Sequence, residues 1–346
     1  MRKQKKLSNI FKLKAMINII AETAWHHEGD FEFMINLIDK LNQQEIDFIK
    51  VHVTLDLDEY MDNSHPAYET LKKWVFTENQ WRKIIERIIS GGKKPFILVN
   101  DKRAIALAGE YNPEIVEIHS VCLNDVHLLN EVKAQFSFST KIVLGVGGST
   151  LYEIENSMSV LNTNNIVLMH GFQNYPTKYE DINFNKILKL KQLYSQYEHG
   201  YADHCGWNEP NNILITTIGA ALGMQYIEKH VTTNFGEERC DWNSAISFEM
   251  LAELVQKLKL VSRCNGNGNL SLNEGEKQYS QTGIMKKAPV FTNDLKKGSI
   301  LKESDIVFRR IGFNTDVSQL EVIEKIGKKV NKDVEANGVI KANIFE

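Results

Sequence analysis

A repeating alternation constrains the fold of this chain more than any other feature. Eight short runs rich in β-branched residues are separated by longer segments whose apolar residues fall at helical spacing. The predicted strands are Ile17–Ala24, Phe48–Leu55, Phe96–Asp101, Ile115–Ser120, Lys141–Gly147, Ile166–Gly171, Gly200–Cys205 and Tyr226–Thr232. Phe33-Met34-Ile35-Asn36-Leu37-Ile38-Asp39-Lys40-Leu41 is one of the helical segments between them. Eight strands with helical crossovers fit a (β/α)8 TIM barrel of the α/β class, whose sites lie at the carboxyl-terminal ends of the strands. An open doubly wound sheet satisfies the same periodicity, because alternation alone does not close a barrel.

The alternation stops before the chain does. Cys264-Asn265-Gly266-Asn267-Gly268-Asn269 breaks the helical pattern at the end of the predicted barrel. From Ala288 to Glu346 the texture changes to short strand-like runs and tight turns, one of them at Lys296-Lys297-Gly298. The expected organisation is a barrel domain over residues 1–280 and a small β-rich domain over 285–346. The second is about 60 residues, near the lower limit for independent folding.

At 346 residues the chain can hold a barrel with a small appendage. Its 42% hydrophobic and 25% charged residues are the proportions of a soluble globular protein. A formal charge of −3, with no face dominated by Lys and Arg, argues against non-specific nucleic-acid binding. The basic start Arg2-Lys3-Gln4-Lys5-Lys6 is not followed by an apolar region of signal-peptide quality, and the apolar run around Ile17 to Ala21 is too short to span a membrane. Cys122, Cys205, Cys240 and Cys264 form no CxxC pair, so a reduced, cytoplasmic setting is expected.

Two histidines stand out by position. His204 in Tyr-Ala-Asp-His-Cys and His230 in Ile-Glu-Lys-His-Val-Thr each close a predicted strand, and the 25 residues between them suit a loop and one helix. That spacing puts both imidazoles at the carboxyl ends of neighbouring strands, where they can grip one divalent metal. Glu22, at the end of the first strand in Ile-Ile-Ala-Glu-Thr, faces the same mouth. Two neutral imidazoles leave metal positions open for substrate oxygens, as Lewis-acid chemistry requires.

These motifs resemble, in order, those of the sialic acid synthase family, which condenses phosphoenolpyruvate with an N-acetylated aldose. Ile-Ile-Ala-Glu-Thr-Ala-Trp-His-His-Glu-Gly-Asp resembles the family's first-strand motif, and Phe48-Ile49-Lys50 its second-strand segment ending in a lysine. Leu168-Met169-His170 through Tyr175-Pro176 resembles the sixth-strand segment, while Ala202-Asp203-His204 and Ile227-Glu228-Lys229-His230 match two metal-ligand motifs. The tail segments Val290-Phe291-Thr292-Asn293-Asp294-Leu295-Lys296-Lys297-Gly298 and Phe308-Arg309-Arg310 resemble the family's antifreeze-like domain.

The resemblance implies that His204 and His230 hold a Mn2+ or Mg2+ ion. It gives Glu22 the water that completes the reaction and Asp241 a part at the sugar end. It places Lys50 against the carboxylate or phosphate of the three-carbon acid, where a compact cation is suited. Gln173 and Tyr175 take the positions of polar and aromatic contacts, and Asn100, Glu117, Ser120 and Gly145 fall at the donor-binding positions. The tail is implied to reach across a domain-swapped homodimer, with Arg310 entering the partner's sugar pocket and Arg309 one residue away.

Departures from the family cluster on one rim. Glu117-Ile118-His119-Ser120-Val121 stands where the family has a lysine followed by Gly-Ser-Gly, so a carboxylate replaces a phosphate-binding cation. Val99-Asn100-Asp101 replaces Ser-Thr-Pro and adds a second candidate negative charge. Gly145 and Ala202 replace serines, and His26 replaces an asparagine. Exchanging attraction for repulsion between partly shielded charges at short range is worth on the order of several kcal/mol. Inherited contacts therefore predict weak phosphoenolpyruvate binding unless Glu117 is protonated or paired with Lys50. The glycine-rich turn Gly145-Val146-Gly147-Gly148-Ser149-Thr150 reads either as an anion nest at a helix start or as a plain strand-to-helix connection capped by Ser149 or Thr150.

The leading reading is a metal-dependent C–C bond-forming synthase acting on a sugar aldehyde, with phosphoenolpyruvate or an altered three-carbon donor. A pyruvate-type aldolase or lyase on the same metal site is the alternative, with Glu117 or His119 as general base. A non-catalytic sugar-binding relic is opposed by the retention of Glu22, Lys50, His204, His230 and Asp241. Glu22 and Asp241 also satisfy the bare requirement of a glycosidase for two carboxylates.

Overall fold

The computed structural model describes residues 17–136, 139–171, 174 and 176–345. The basic run from Arg2 to Lys6, Gln173 and Tyr175 lie outside the described residues. The chain divides into two compact units, Met1–Gly268 and Asn269–Glu346. The division falls in the Asn- and Gly-rich stretch, where Gly266 and Gly268 take left-handed backbone angles of +61° and +66°. Glycine reaches these angles without the Cβ penalty and so ends the preceding helix.

In the first unit, eight parallel strands close into a barrel. They are β1 (Asn18–Glu22), β2 (Phe48–Val53), β3 (Lys94–Val99), β4 (Ile115–Ile118), β5 (Lys141–Gly145), β6 (Ile166–His170), β7 (Glu198–Asp203) and β8 (Tyr226–His230). Closure is made by β1 against β8, with Glu22 in register with His230, so the open sheet is excluded. Eight helices form the outer layer: α1 (Phe31–Asn42), α2 (Glu78–Ser90), α3 (Lys102–Glu110), α4 (Val126–Gln135), α5 (Leu151–Leu161), α6 (Phe184–Leu193), α7 (Asn212–Ala221) and α8 (Phe248–Asn265). Met34, Leu37, Ile38 and Leu41 of α1 are buried at helical spacing, which is what the sequence periodicity predicts for a helix laid on the sheet.

Asp101 needs a correction. It is not a second negative charge at the mouth: it caps α3, its carboxylate accepting from the backbone N–H groups of Ala104 (2.8 Å) and Leu55 (2.7 Å). An aspartate two residues beyond a strand and immediately before a helix satisfies orphan N–H groups of the first turn.

Side chains of a strand alternate between its two faces, and this sets the layers inside the barrel. Ile20, Phe48, Phe96, Ile115, Val143, Val167 and Tyr226 belong to one apolar interior cluster. One step of two residues toward the mouth, the positions become Glu22, Lys50, Glu117 and Glu228, all lining one cavity. A further step brings His52 and His119 to the same cavity, with His204 and His230 beside them.

The outward face of β7 and β8 packs closely. Lys229 Nζ meets Asp203 Oδ2 at 2.7 Å, both fully buried, and Thr216 of α7 donates to the same oxygen at 2.6 Å. Gly219 of α7 lies against the Tyr201 ring so tightly that a Cβ there would sit 2.4 Å from Cδ1.

The second unit carries an antiparallel pair, β9 (Ala288–Phe291) and β10 (Ile306–Arg309). Phe291, Leu301, Val317, Val322, Val330, Ile340 and Ile344 form its own core. No helix among the described residues is long and apolar enough to cross a membrane.

An alanine normally stabilises a helix interior over glycine by roughly 0.5–1 kcal/mol. Gly219→Ala is expected to do the reverse and destabilise the chain by about 1–3 kcal/mol, because the buried Tyr201 ring cannot yield cheaply. The midpoint of urea unfolding measures the sign.

Candidate active site at the barrel mouth

The mouth opens into a cavity of about 300 Å3 lined by the carboxyl ends of the strands and the loops after them. Glu22, His204 and His230 converge there, each buried, with one candidate ligand atom apiece lying within 4.8 Å of the others. His204 donates from Nδ1 to the carbonyl of Ala202 at 3.1 Å, which leaves Nε2 as the unprotonated nitrogen. Burial, with His230 next to it, lowers the His204 pKa to about 3 and keeps the ring neutral. The two rings meet edge to face at 4.7 Å between centroids, and His230 Nε2 lies 2.8 Å from Glu22 Oε2. One carboxylate with two imidazoles, that of His204 locked in tautomer by a backbone carbonyl, fits a divalent cation in an open site.

Beside this set lies a buried ionic cluster. Lys50 Nζ contacts Glu117 Oε2 at 2.8 Å, Glu228 Oε1 at 2.9 Å and Glu22 Oε1 at 3.2 Å. Burial works against the Lys50 ammonium, but Glu117, Glu22 and Glu228 outweigh it and hold its pKa well above the usual lysine value. Glu22 resists its own burial through Lys50, His230 and His52 and stays well below the ordinary carboxylate range. Glu117 and Glu228 go the other way: burial raises both, and the charge on Glu22 adds to the rise. His52 Nε2 also contacts Glu22 Oε1. Glu22 thus faces Lys50 and His52 with one oxygen and His230 with the other.

The remaining predicted residues are distributed as follows. Asn100, Ser120, Gly145 and Asp241 all line the cavity. Asn100 Nδ2 donates to Thr54 Oγ1 at 2.9 Å, and its Oδ1 is buried without a hydrogen-bond partner. At Gly145 a Cβ would meet the Ser120 backbone nitrogen at 2.8 Å, so the turn after β4 has closed over the place of a side chain. Asp241, at a left-handed φ of +62°, accepts from the Trp25 N–H at 3.2 Å. The same loop is held by His26, which donates from Nδ1 to Cys240 O at 2.6 Å, and by Arg239 Nε, which donates to His26 O at 2.7 Å.

The glycine-rich turn is a capped connection. Thr150 and Glu153 form a reciprocal capping box at the start of α5, with Glu153 Oε2 accepting from Thr150 N at 2.7 Å. A carboxylate therefore already occupies that helix N-terminus. In the second unit, Arg310 is exposed and donates from Nε to Ile284 O at 2.8 Å, while Arg309 donates to Asn337 Oδ1 at 2.7 Å.

Glu228 and His52 are cavity residues that sequence reasoning missed, with Trp25, Tyr60 and His170. Period-two counting finds the first two: Glu228 lies two residues before His230, and His52 two after Lys50. Tyr60 sits on a short helix in the loop after β2, and no motif marked it.

Fold and site together define a (β/α)8 barrel with a metal-type triad at its mouth. Residues 41–270 match the NeuB family, and the chain belongs to this sialic acid synthase-like family. It is 26% identical over 325 residues to an uncharacterized protein of Methanocaldococcus jannaschii, covering 93% of this chain and 92% of that one. It is 25% identical over 345 residues to the N,N'-diacetyllegionaminic acid synthase of Campylobacter jejuni, covering 93% and 98%. A Chromobacterium violaceum structure assigned to spore coat polysaccharide biosynthesis shares the fold, with a TM-score of 0.80 at 18% identity over 95% of this chain and 99% of that one.

The triad predicts one divalent ion per chain. Mn2+ at a hundredfold its Kd should stabilise the protein by about 2.7 kcal/mol. The His204→Ala, His230→Ala double variant should show neither this gain in thermal unfolding nor stoichiometric metal by elemental analysis.

Proposed function

We propose that this protein is a metal-dependent synthase that joins a three-carbon acid, phosphoenolpyruvate or an altered donor, to an N-acetylated aldose. The product is a nonulosonic, sialic-acid-like acid. The observation that carries the reading is the Glu22, His204 and His230 set at the mouth of a NeuB-family barrel, next to a buried lysine.

A Mn2+ or Mg2+ ion held by these residues would polarise the aldehyde oxygen of the open-chain sugar. Lys50, fixed by three carboxylates, stands ready for the donor carboxylate. Glu22, kept ionised, orients the water or proton that completes the reaction. Asp241 binds sugar hydroxyls, its position set by the Trp25 N–H. The cavity walls, with Trp25, Leu98 and Met169 among the polar groups, exclude bulk water from the reacting carbons.

Residues 285–346 are read as an antifreeze-like domain that covers the partner's cavity in a homodimer, with Arg310 as its sugar contact. A unit this small gains stability by docking.

Two measurements test this. Incubation with Mn2+, a panel of N-acetylated aldoses and both phosphoenolpyruvate and pyruvate should yield a condensation product by mass spectrometry. That product should vanish with chelator, and His204→Ala should lower its rate by at least about 100-fold. Sedimentation should show a dimer at micromolar concentration; a monomer there would remove the shared lid, and no product from any pair would remove the synthase reading.

A further inference from the structure

We propose that the donor site takes a 2-oxo carboxylic acid with an enolisable methyl group and no phosphate, of the pyruvate type. This rests on the synthase reading above for the second substrate only; the donor argument stands on the cavity itself.

Charge decides it. Among the described residues lining the cavity, Lys50 is the one lysine or arginine, against four carboxyl groups: Glu22, Glu117, Glu228 and Asp241. Its ammonium is already in contact with three of them. A phosphorylated enol acid brings a carboxylate and a phosphate that alone carries about −1.5 to −2 at pH 7. A divalent ion and Lys50 together would supply the cavity's positive charge, and four carboxyl groups share it before any donor enters. Protonation of Glu117 or Glu228 relieves repulsion but creates no cation, so Lys50 stays the one lysine or arginine among the described lining residues.

Beyond the Ser120 and Tyr60 hydroxyls and the Trp25 indole, neutral donors to a phosphate are scarce among the described lining residues. Gly145 has no room for a hydroxyl-bearing side chain, since Ser120 N lies 2.8 Å from where a Cβ would begin. The Ala202 side chain offers no polar atom, and the free group on Asn100 is an acceptor. The turn before α5 is filled by Glu153. Burial lowers His119 and His170 to about 3, so neither adds a cation at neutral pH. Phosphate binding normally uses arginines, lysines or clustered backbone N–H groups.

A singly charged donor fits. Its carboxylate can replace one of the three carboxyl groups now sharing the Lys50 ammonium, and Asn100 Oδ1 can accept a hydrogen bond from an enol hydroxyl. The step balances without a leaving group. The methyl carbon loses a proton to a cavity carboxylate and bonds to the aldehyde carbon, and the aldehyde oxygen takes the proton and ends as a hydroxyl. No phosphate is released and no water is consumed.

Titration calorimetry on the full-length protein with Mn2+ tests this directly. Pyruvate should bind at least tenfold more tightly than phosphoenolpyruvate, a gap of about 1.4 kcal/mol, and inorganic phosphate should not bind. Glu117→Lys should tighten phosphoenolpyruvate at least tenfold; if that variant does not fold, Glu117→Gln should narrow the gap by several-fold. Tighter wild-type binding of phosphoenolpyruvate than of pyruvate, absence of pyruvate binding, or failure of both Glu117 variants to improve phosphoenolpyruvate binding overturns the inference. Condensation of phosphoenolpyruvate with release of inorganic phosphate overturns it while leaving the synthase reading intact. The expected donor binding without product from any aldose does the opposite.

Discussion

The contact between Lys50 and its three carboxylates organises this protein's interior. An uncompensated ion at this depth would be costly by several kcal/mol. Glu22, Glu117 and Glu228 come from β1, β4 and β8, so only the closed barrel can bring them to one ammonium. Removing Lys50 would leave three buried carboxyl groups without their cation, and the penalty would fall on the mouth. The cluster is a poor source of stability compared with apolar packing, yet it specifies which side chains face each other across the barrel. Below it the interior is apolar; above it lie the histidines.

Glu22 joins the two halves of that polar layer. One oxygen faces Lys50 and His52, the other faces His230. A change in charge at Lys50 is therefore felt at His230 through a single buried carboxylate. The loop carrying Asp241 is tied back to the loop after β1 at several points, by Trp25, His26 and Arg239. Asp241 is thus positioned at the cavity by hydrogen bonds to and from backbone groups.

Much of this was legible in the sequence because strand and helix periodicities differ. The eight strand runs, the two strand-end histidines and Glu22 were readable as a barrel mouth, and the pairing of Glu117 with Lys50 followed as a way to neutralise both. Glu228 was within reach of the same counting, hidden inside a motif whose histidine drew attention. Other features had no local signal. The contact of Trp25 with Asp241 spans 216 residues, and the crowding at Gly145 comes from a neighbouring turn. Asp101 misled for a definable reason: as the last residue of a predicted strand it reads as a mouth charge, whereas the strand ends at Val99 and its place immediately before α3 makes it a cap.

The cavity's electrostatics also explain how a glutamate can stand on β4 without destroying the metal end. Two like charges about 4 Å apart at an effective dielectric near 20 repel by about 4 kcal/mol. Glu117 and Glu22 escape that cost because Lys50 lies in contact with both, and because burial and Glu22 favour the protonated form of Glu117. Glu22 can then remain ionised toward His230, so the triad keeps its donor character. The same compensation leaves Lys50 with less attraction to offer an incoming anion. In the synthase we propose, this arrangement would keep the capacity to activate an aldehyde while lowering the charge accepted on the other substrate. In that reading, donor recognition and metal binding are two functions of one polar layer, coupled through Glu22.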